Sequence, residues 1–186
     1  MPQNEADFGF GTLAISLPTI PAEADSGISG SPSRKYTVND RPTSHRPAPR
    51  LEDYPHRASD LIRYADLDPQ GHVNNAVFAT YFETGRVAMF RGPDLGIGAD
   101  GKTFVLVRQE IDFLQELRWP GSVEIGTAIA SFGRSSFTVA QVVFRGDVCA
   151  AAGRATIVFI DLATRRPEPL PEEQIARLSP YKYRGK

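Results

Sequence analysis

The chain has 186 residues, with 21 basic against 22 acidic side chains and a formal charge of −1, so no field of one sign spans it and a general nucleic-acid binder is excluded. Its 41% hydrophobic and 23% charged residues are those of an ordinary globular domain, and the length suits one buried core with appendages rather than two full domains. Cys149 is the only cysteine, which rules out an intrachain disulfide and a cysteine-rich zinc site.

No apolar run approaches the ~20 residues needed to cross a bilayer, and the N-terminus (MPQNEADFGF) lacks the basic-then-apolar order of a secretory signal. The expectation is a soluble, cytoplasmic protein. Seven of the 15 prolines fall within residues 1–50, with six serines, whereas residues 101–150 hold a single proline, Pro120. Residues 1–52 are therefore expected to form a flexible arm, because so few large apolar groups cannot offset the entropy of ordering them. Within the arm, the more apolar stretch from Phe8 to Pro18 has the character of an extended segment that packs on the domain or a partner.

From Pro55 a regular plan emerges. It predicts a strand at His56–Tyr64, a Gly-, Asn- and Pro-bearing turn at Asp66–Asn74, and a helix from Asn75 to Arg91. Four segments rich in Val, Ile, Phe and Thr follow at Phe104–Leu117, Ser122–Phe132, Ser136–Phe144 and Val148–Asp161. Short turns at Pro120-Gly121, Gly133-Arg134 and Gly146-Asp147 separate them. The helix is apolar over much of its circumference (Val77, Phe78, Tyr81, Phe82, Val87, Met89, Phe90), so it should be surrounded. The predicted fold class is α+β, with one central helix wrapped by a curved antiparallel sheet of five or more strands. Residues 53–162 form the domain, and 163–186 a proline-rich C-terminal tail that covers an edge or frays, with a short helix at Pro171–Leu178.

The chemistry concentrates in residues 64–86. Asp66, Asp68, His72, Asn74 and Asn75 crowd into a Gly71-assisted turn that feeds directly into the apolar helix. Turn formation and N-capping account for some of these residues. Capping needs one Asn or Asp, however, and a partly dry helix N-terminus favours negative charge developing on a bound carbonyl oxygen. Asp68 then suits direct attack on a thioester or general-base activation of water.

D-x-D-P-x-G-H-V-N-N, followed by Y-F-E-x-x-R, resembles the hotdog-fold acyl thioesterases of the 4-hydroxybenzoyl-CoA thioesterase type over about residues 56–162, including the Gly133–Phe137 turn. The resemblance implies that Asp68 is the catalytic carboxylate and that the backbone N–H of Asn75 binds the thioester carbonyl. It also implies a homodimer or homotetramer with sites between protomers, and an acyl-CoA or acyl carrier protein thioester as substrate. Plant acyl-ACP thioesterases have a similar D-x-N-x-H-V-N-N segment in which Asp, Asn and His are implicated in catalysis; Asp68 and His72 match, which makes His72 a further catalytic candidate ranked below Asp68, while Gln70 replaces the Asn.

The remaining candidates surround this centre. Glu83 either pairs with Arg86 three residues on or reaches the acyl pocket as a further catalytic group. Val73, Asn74, Phe78, Tyr81 and Phe82 are candidate lining residues. The resemblance sets Arg134, Ser135 and Ser136 near the phosphate-bearing end of the carrier, where such groups bind anionic oxygens, although a solvated hairpin turn explains them equally. Cys149 reads as a small buried residue rather than a nucleophile. No metal or redox cofactor is implied. Two alternatives stay open: a non-catalytic acyl-carrier sensor, and a hotdog dehydratase or hydratase, whose D-x-N-P-x-H pattern fits Asp68-Pro-Gln-Gly-His72 less well.

Overall fold

The computed structural model describes residues 48–92 and 101–185. The arm expected over residues 1–52 lies almost wholly outside them, including the segment from Phe8 to Pro18.

Alternation of side chains builds the sheet. In β4 (Ser136–Arg145), Phe137, Val139, Gln141 and Val143 face one way, while Ala140, Val142 and Phe144 face the other. It lies between β3 (Gly121–Phe132) and β5 (Val148–Asp161). With β1 (His56–Ile62) and β2 (Lys102–Phe113) at the edges, the order is β1-β3-β4-β5-β2, antiparallel throughout. Register shifts at Ile129/Ser131, Val143/Phe144 and Leu106/Arg108 mark bulges, which bend the strands. The predicted segments thus form five strands and one long helix, with ends displaced by a few residues.

Helix α1 (Asn75–Phe90) starts where Asn74 caps it, its Oδ1 accepting the Ala76 N–H at 2.9 Å. Phe78, Tyr81, Phe82, Gly85, Arg86 and Met89, spaced as one helical stripe, are buried over β1, β3 and β4. Each buried large apolar side chain contributes about 1.5–3 kcal/mol. Thr84 Oγ1 donates to Asp60 Oδ2 at 3.1 Å and ties the helix to β1. The expectation that the helix is covered all round is corrected here. Its outward stripe of Ala76, Thr80, Glu83 and Val87 is exposed, with Val87 41% accessible, because only one of these four is a large apolar residue.

The inner face carries two apolar clusters with a polar layer between them. One holds Phe78, Tyr81, Phe82, Val123, Ile125 and Val143; the other holds Met89, Ile129, Phe137, Val139, Ile157 and Phe159. Between them, Thr127 on β3, Gln141 on β4 and Arg86 on α1 are all buried. The outer face packs Tyr54, Ala128, Val142 and Phe144, with Leu51 and Cys149 against them.

Beyond residue 162 the chain returns to the sheet. Helix α2 (Glu172–Leu178) buries Leu178 and, with Leu170, joins the second cluster. The Tyr183 N–H bonds to Ile129 O at 3.0 Å and the Arg184 N–H to Asp53 O at 3.0 Å. No helix among the described residues is long and apolar enough to cross a membrane.

Candidate active site

The turn from Asp66 to Asn74 is a small hairpin closed by backbone bonds. The Asn74 N–H reaches Asp66 O at 2.9 Å, Leu67 bridges Val73, and the Asp68 N–H reaches His72 O at 2.7 Å. Gly71, at φ +78°, takes the left-handed conformation that the tip requires. The Val73 N–H bonds to Leu117 O at 2.8 Å, so the hairpin is anchored to the β2–β3 connection.

Half-buried Asp68 sits at the neck of this hairpin. Its Oδ1 accepts from the Gln70 N–H at 2.9 Å and the His72 N–H at 3.0 Å, while Oδ2 takes no hydrogen bond among the described residues. One carboxylate oxygen therefore shapes the loop and the other is available. At the helix start, Asn74 O accepts from Val77 and Asn74 Oδ1 from Ala76, whereas the N–H of Asn75 meets no acceptor among the described residues. An open first N–H at the positive end of a helix is a ready site for a carbonyl oxygen acquiring charge.

The other candidates separate into distinct groups. His72 Nε2 lies 3.1 Å from Glu116 Oε2 and 2.5 Å from Arg118 Nη2. Arginine only donates, so a neutral His72 with its proton on Nδ1 accepts from Arg118, and a protonated one donates to Glu116. Glu116 and Arg118 escape a sequence reading because they lie more than 40 residues from His72, at and just beyond the end of a predicted strand. Beside them, Trp119 stacks edge-on against Tyr64 with ring centroids 5.8 Å apart.

Val73, Phe78, Tyr81 and Phe82 are core residues in this chain, each no more than 3% exposed. Tyr81 reaches beneath the hairpin. Burial first, and then the charges of Asp66 and Asp60, push its phenol above the ordinary tyrosine range. Asp66 also accepts the Arg63 N–H at 2.8 Å, in keeping with a supporting role in the turn. Glu83 and Arg86 do not form an ion pair. Glu83 is exposed, whereas Arg86 turns inward to Gln141 and Gln109, and burial lowers its pKa.

Arg134, Ser135 and Ser136 lie at the opposite end of β3 from the hairpin. Eleven strand steps of about 3.3 Å separate them by on the order of 35 Å within one chain. Their backbone is in structural use: Arg134 O accepts from Leu170 at 2.9 Å and Ser135 O from Phe159 at 2.9 Å. No cluster of His, Cys, Asp and Glu suited to a metal occurs among the described residues.

A five-stranded antiparallel sheet packed on one long helix, whose N-terminus is fed by an acidic hairpin, defines the hotdog class. The model of the Thioesterase-like superfamily matches residues 62–178, and the chain belongs to that superfamily. A thioesterase from Thermus thermophilus, solved in complex with coenzyme A and Zn, is 34% identical, with 70% of this chain and 96% of that one covered at a TM-score of 0.62. A Pseudomonas aeruginosa protein is 26% identical, with 75% of this chain and 100% of that one covered at a TM-score of 0.68. A 1,4-dihydroxy-2-naphthoyl-CoA thioesterase from Synechocystis shares the fold at 18% identity and a TM-score of 0.60, covering 67% of this chain and 95% of that one. Among curated proteins none matches the chain. The chemistry these findings support is thioester hydrolysis in general.

Proposed function

We propose that the protein hydrolyses an acyl-CoA, or an acyl carrier protein thioester, in the manner of the 4-hydroxybenzoyl-CoA thioesterase type. The observation that carries this reading is the open N–H of Asn75 at the mouth of a hairpin that leaves Asp68 Oδ2 without a partner among the described residues. The substrate carbonyl oxygen accepts from Asn75, which polarises the carbon. Asp68 then either takes a proton from a water that adds to that carbon or attacks it directly to form a mixed anhydride that water opens. In both cases the C–S bond breaks, the thiolate leaves and is protonated, and the acyl group departs as a carboxylic acid. His72, held between Glu116 and Arg118, orients the polar side of the hairpin. The coenzyme A bound in the Thermus thermophilus neighbour supports CoA as the carrier.

The site is completed by a second copy of the chain in a dimer or a dimer of dimers. The roughly 35 Å between the hairpin and the Arg134–Ser136 turn supports this, because the two meet in one site when different protomers supply them. Edge strand β2, with Leu106 and Val107 exposed, is a surface on which such pairing is built.

The test is thiol release from a panel of acyl-CoAs, with light scattering on the same sample. Turnover by an oligomer, lost in Asp68→Asn, is the expected result. Saturable binding with no thiol released by the wild type would replace the hydrolase with an acyl-carrier sensor. Single turnover in oxygen-18 water, followed by mass analysis of the Asp68 peptide, identifies a nucleophile when label enters the carboxylate, since only an anhydride opened at the Asp68 carbon leaves it there.

A further inference from the structure

The polar layer that divides the core is asymmetric in charge. Arg86 is only 6% exposed. Its Nη1 donates to Gln141 Oε1 at 2.9 Å and its Nη2 to Gln109 Oε1 at 3.3 Å, and it forms no ion pair among the described residues. Both acceptors are neutral amides, and Glu83, one turn back, acts on the guanidinium only through space. Two of the five guanidinium N–H groups thus have acceptors.

Gln141 cannot turn to offer more. Its Nε2 is committed to Phe82 O at 2.8 Å and Thr127 Oγ1 at 3.2 Å, and a Cβ on Gly85 would stand only 3.0 Å from it, so helix and sheet clamp the amide. Gln109 is different. It lies on edge strand β2 and is half buried, yet its Nε2 is a buried donor with no partner among the described residues. Buried donors left unpaired are costly, and a buried cation without an anion more so. Two independent deficits, one of negative charge and one of an acceptor, converge on the same place.

The cover over that place is thinnest on the β2 side. Helix α1 lies over β1, β3 and β4, and beside it the inner side of β2 is less covered, with Gln109 and Ile111 half buried and Phe113 39% exposed. Arg86 is eleven positions beyond Asn75, about 16 Å along the helix at 1.5 Å per residue. An acyl group of that length, with its thioester carbonyl on Asn75, would bring its far end level with Arg86.

We propose that Arg86 and Gln109 recognise a carboxylate at the far end of the acyl group, so that the preferred substrates are thioesters of dicarboxylic acids. The planar guanidinium fork and the free Gln109 Nε2 each take an oxygen of that carboxylate, which supplies both the missing charge and the missing acceptor. This assignment rests on the thioesterase reading for its substrate but not for its binding chemistry.

The test uses straight-chain acyl-CoAs from about four to about twelve carbons, each length ending either in methyl or in carboxylate, a range set by the helix span above. In the wild type, one length is expected to favour the carboxylate end in kcat/KM. In Arg86→Met the ratio of the two rates at that length should fall about tenfold or more, the scale of a hydrogen bond to a charged group. Gln109→Leu, on the edge strand, should lower the same ratio by a smaller factor, and it serves if Arg86→Met does not fold. Titration of the free dicarboxylic and monocarboxylic acids by calorimetry gives a second readout. Hydrolysis with no carboxylate preference at any length, or an equal loss on both series in both variants, overturns the inference and leaves the hydrolase standing. Arg86-dependent binding of the dicarboxylate without hydrolysis of any thioester upholds it and removes the hydrolase.

Discussion

Asp68 Oδ1 holds the His72 N–H at 3.0 Å, so the candidate catalytic carboxylate also closes the loop that carries it. Asparagine keeps an oxygen at that position but loses the charge. Asp68→Asn is therefore expected to retain the wild-type melting temperature within a few degrees while kcat falls at least about 10²-fold, the scale of a lost acid–base group. Asp68→Ala, which removes the two loop bonds as well, should in addition lose about 1–2 kcal/mol of stability. Thiol-release kinetics beside thermal melts of both variants make the check, and equal activity in wild type and Asp68→Asn excludes the role.

Phe82 lies against Gly153 on β5, where a side chain has no room. A Cβ at Gly153 would stand 2.5 Å from the Glu110 carbonyl oxygen and 2.9 Å from Phe82 Cε2. Backbone on one side and a ring that is 1% exposed on the other leave little scope for relaxation. Gly153→Ala is predicted to destabilise the protein by about 1–3 kcal/mol, read from urea midpoints. A neutral substitution would mean that β2 and β5 separate more easily than their pairing from Arg108 to Phe113 indicates.

Burial pushes the phenols of Tyr54 and Tyr81 above their ordinary range, with neighbouring groups adding to the effect. Above about pH 10 the unfolded chain releases these protons while the folded one retains them. The proton difference then favours unfolding, so stability present at neutral pH is lost as the pH rises past about 10. The urea midpoint should fall between about pH 10 and about pH 12. Tyr81→Phe should flatten part of that fall and cost little at pH 7, because the hydroxyl has no hydrogen bond of ordinary geometry among the described residues. A midpoint that stays level through this range contradicts the burial argument.

The Cys149 thiol is pushed up to about 11 by burial, its Sγ–H donating to Ala151 O at 3.4 Å. On the outer face beside Tyr54 and Phe144, it lies across the sheet from the Asp68 hairpin. At pH 8 the thiolate fraction is then only about 10⁻³, and a disulfide reagent should label the folded protein far more slowly than the urea-unfolded chain. Cys149→Ala should hydrolyse thioesters as the wild type does. Rapid labelling that abolishes turnover would instead make the thiol part of the machinery.

Much of the architecture is legible in the residues themselves. Period-two alternation in segments such as Ser136–Phe144, broken by Gly-bearing turns, reports strands because it reflects local backbone geometry. The hairpin at Asp66–Asn74 and the cap at Asn74 are equally local, since both depend on neighbours within a few positions. The covered face of α1 is harder to read. Apolar groups occupy most of its circumference, and which of Val87 or Phe82 is buried depends on where the sheet lies.

Sequence alone determined the strand and helix segments, the acidic hairpin at the start of α1 and the family resemblance that names Asp68 and Asn75, because each is written in consecutive or regularly spaced residues. Tertiary structure alone decided that Glu116 and Arg118 meet His72, that Arg86 turns inward to Gln141 and Gln109 instead of pairing with Glu83, and that the acidic hairpin docks on Leu117, at the opposite end of β3 from the Arg134–Ser136 turn. These contacts join residues distant in the chain, and their partners are selected by strand order and register, which no local pattern encodes.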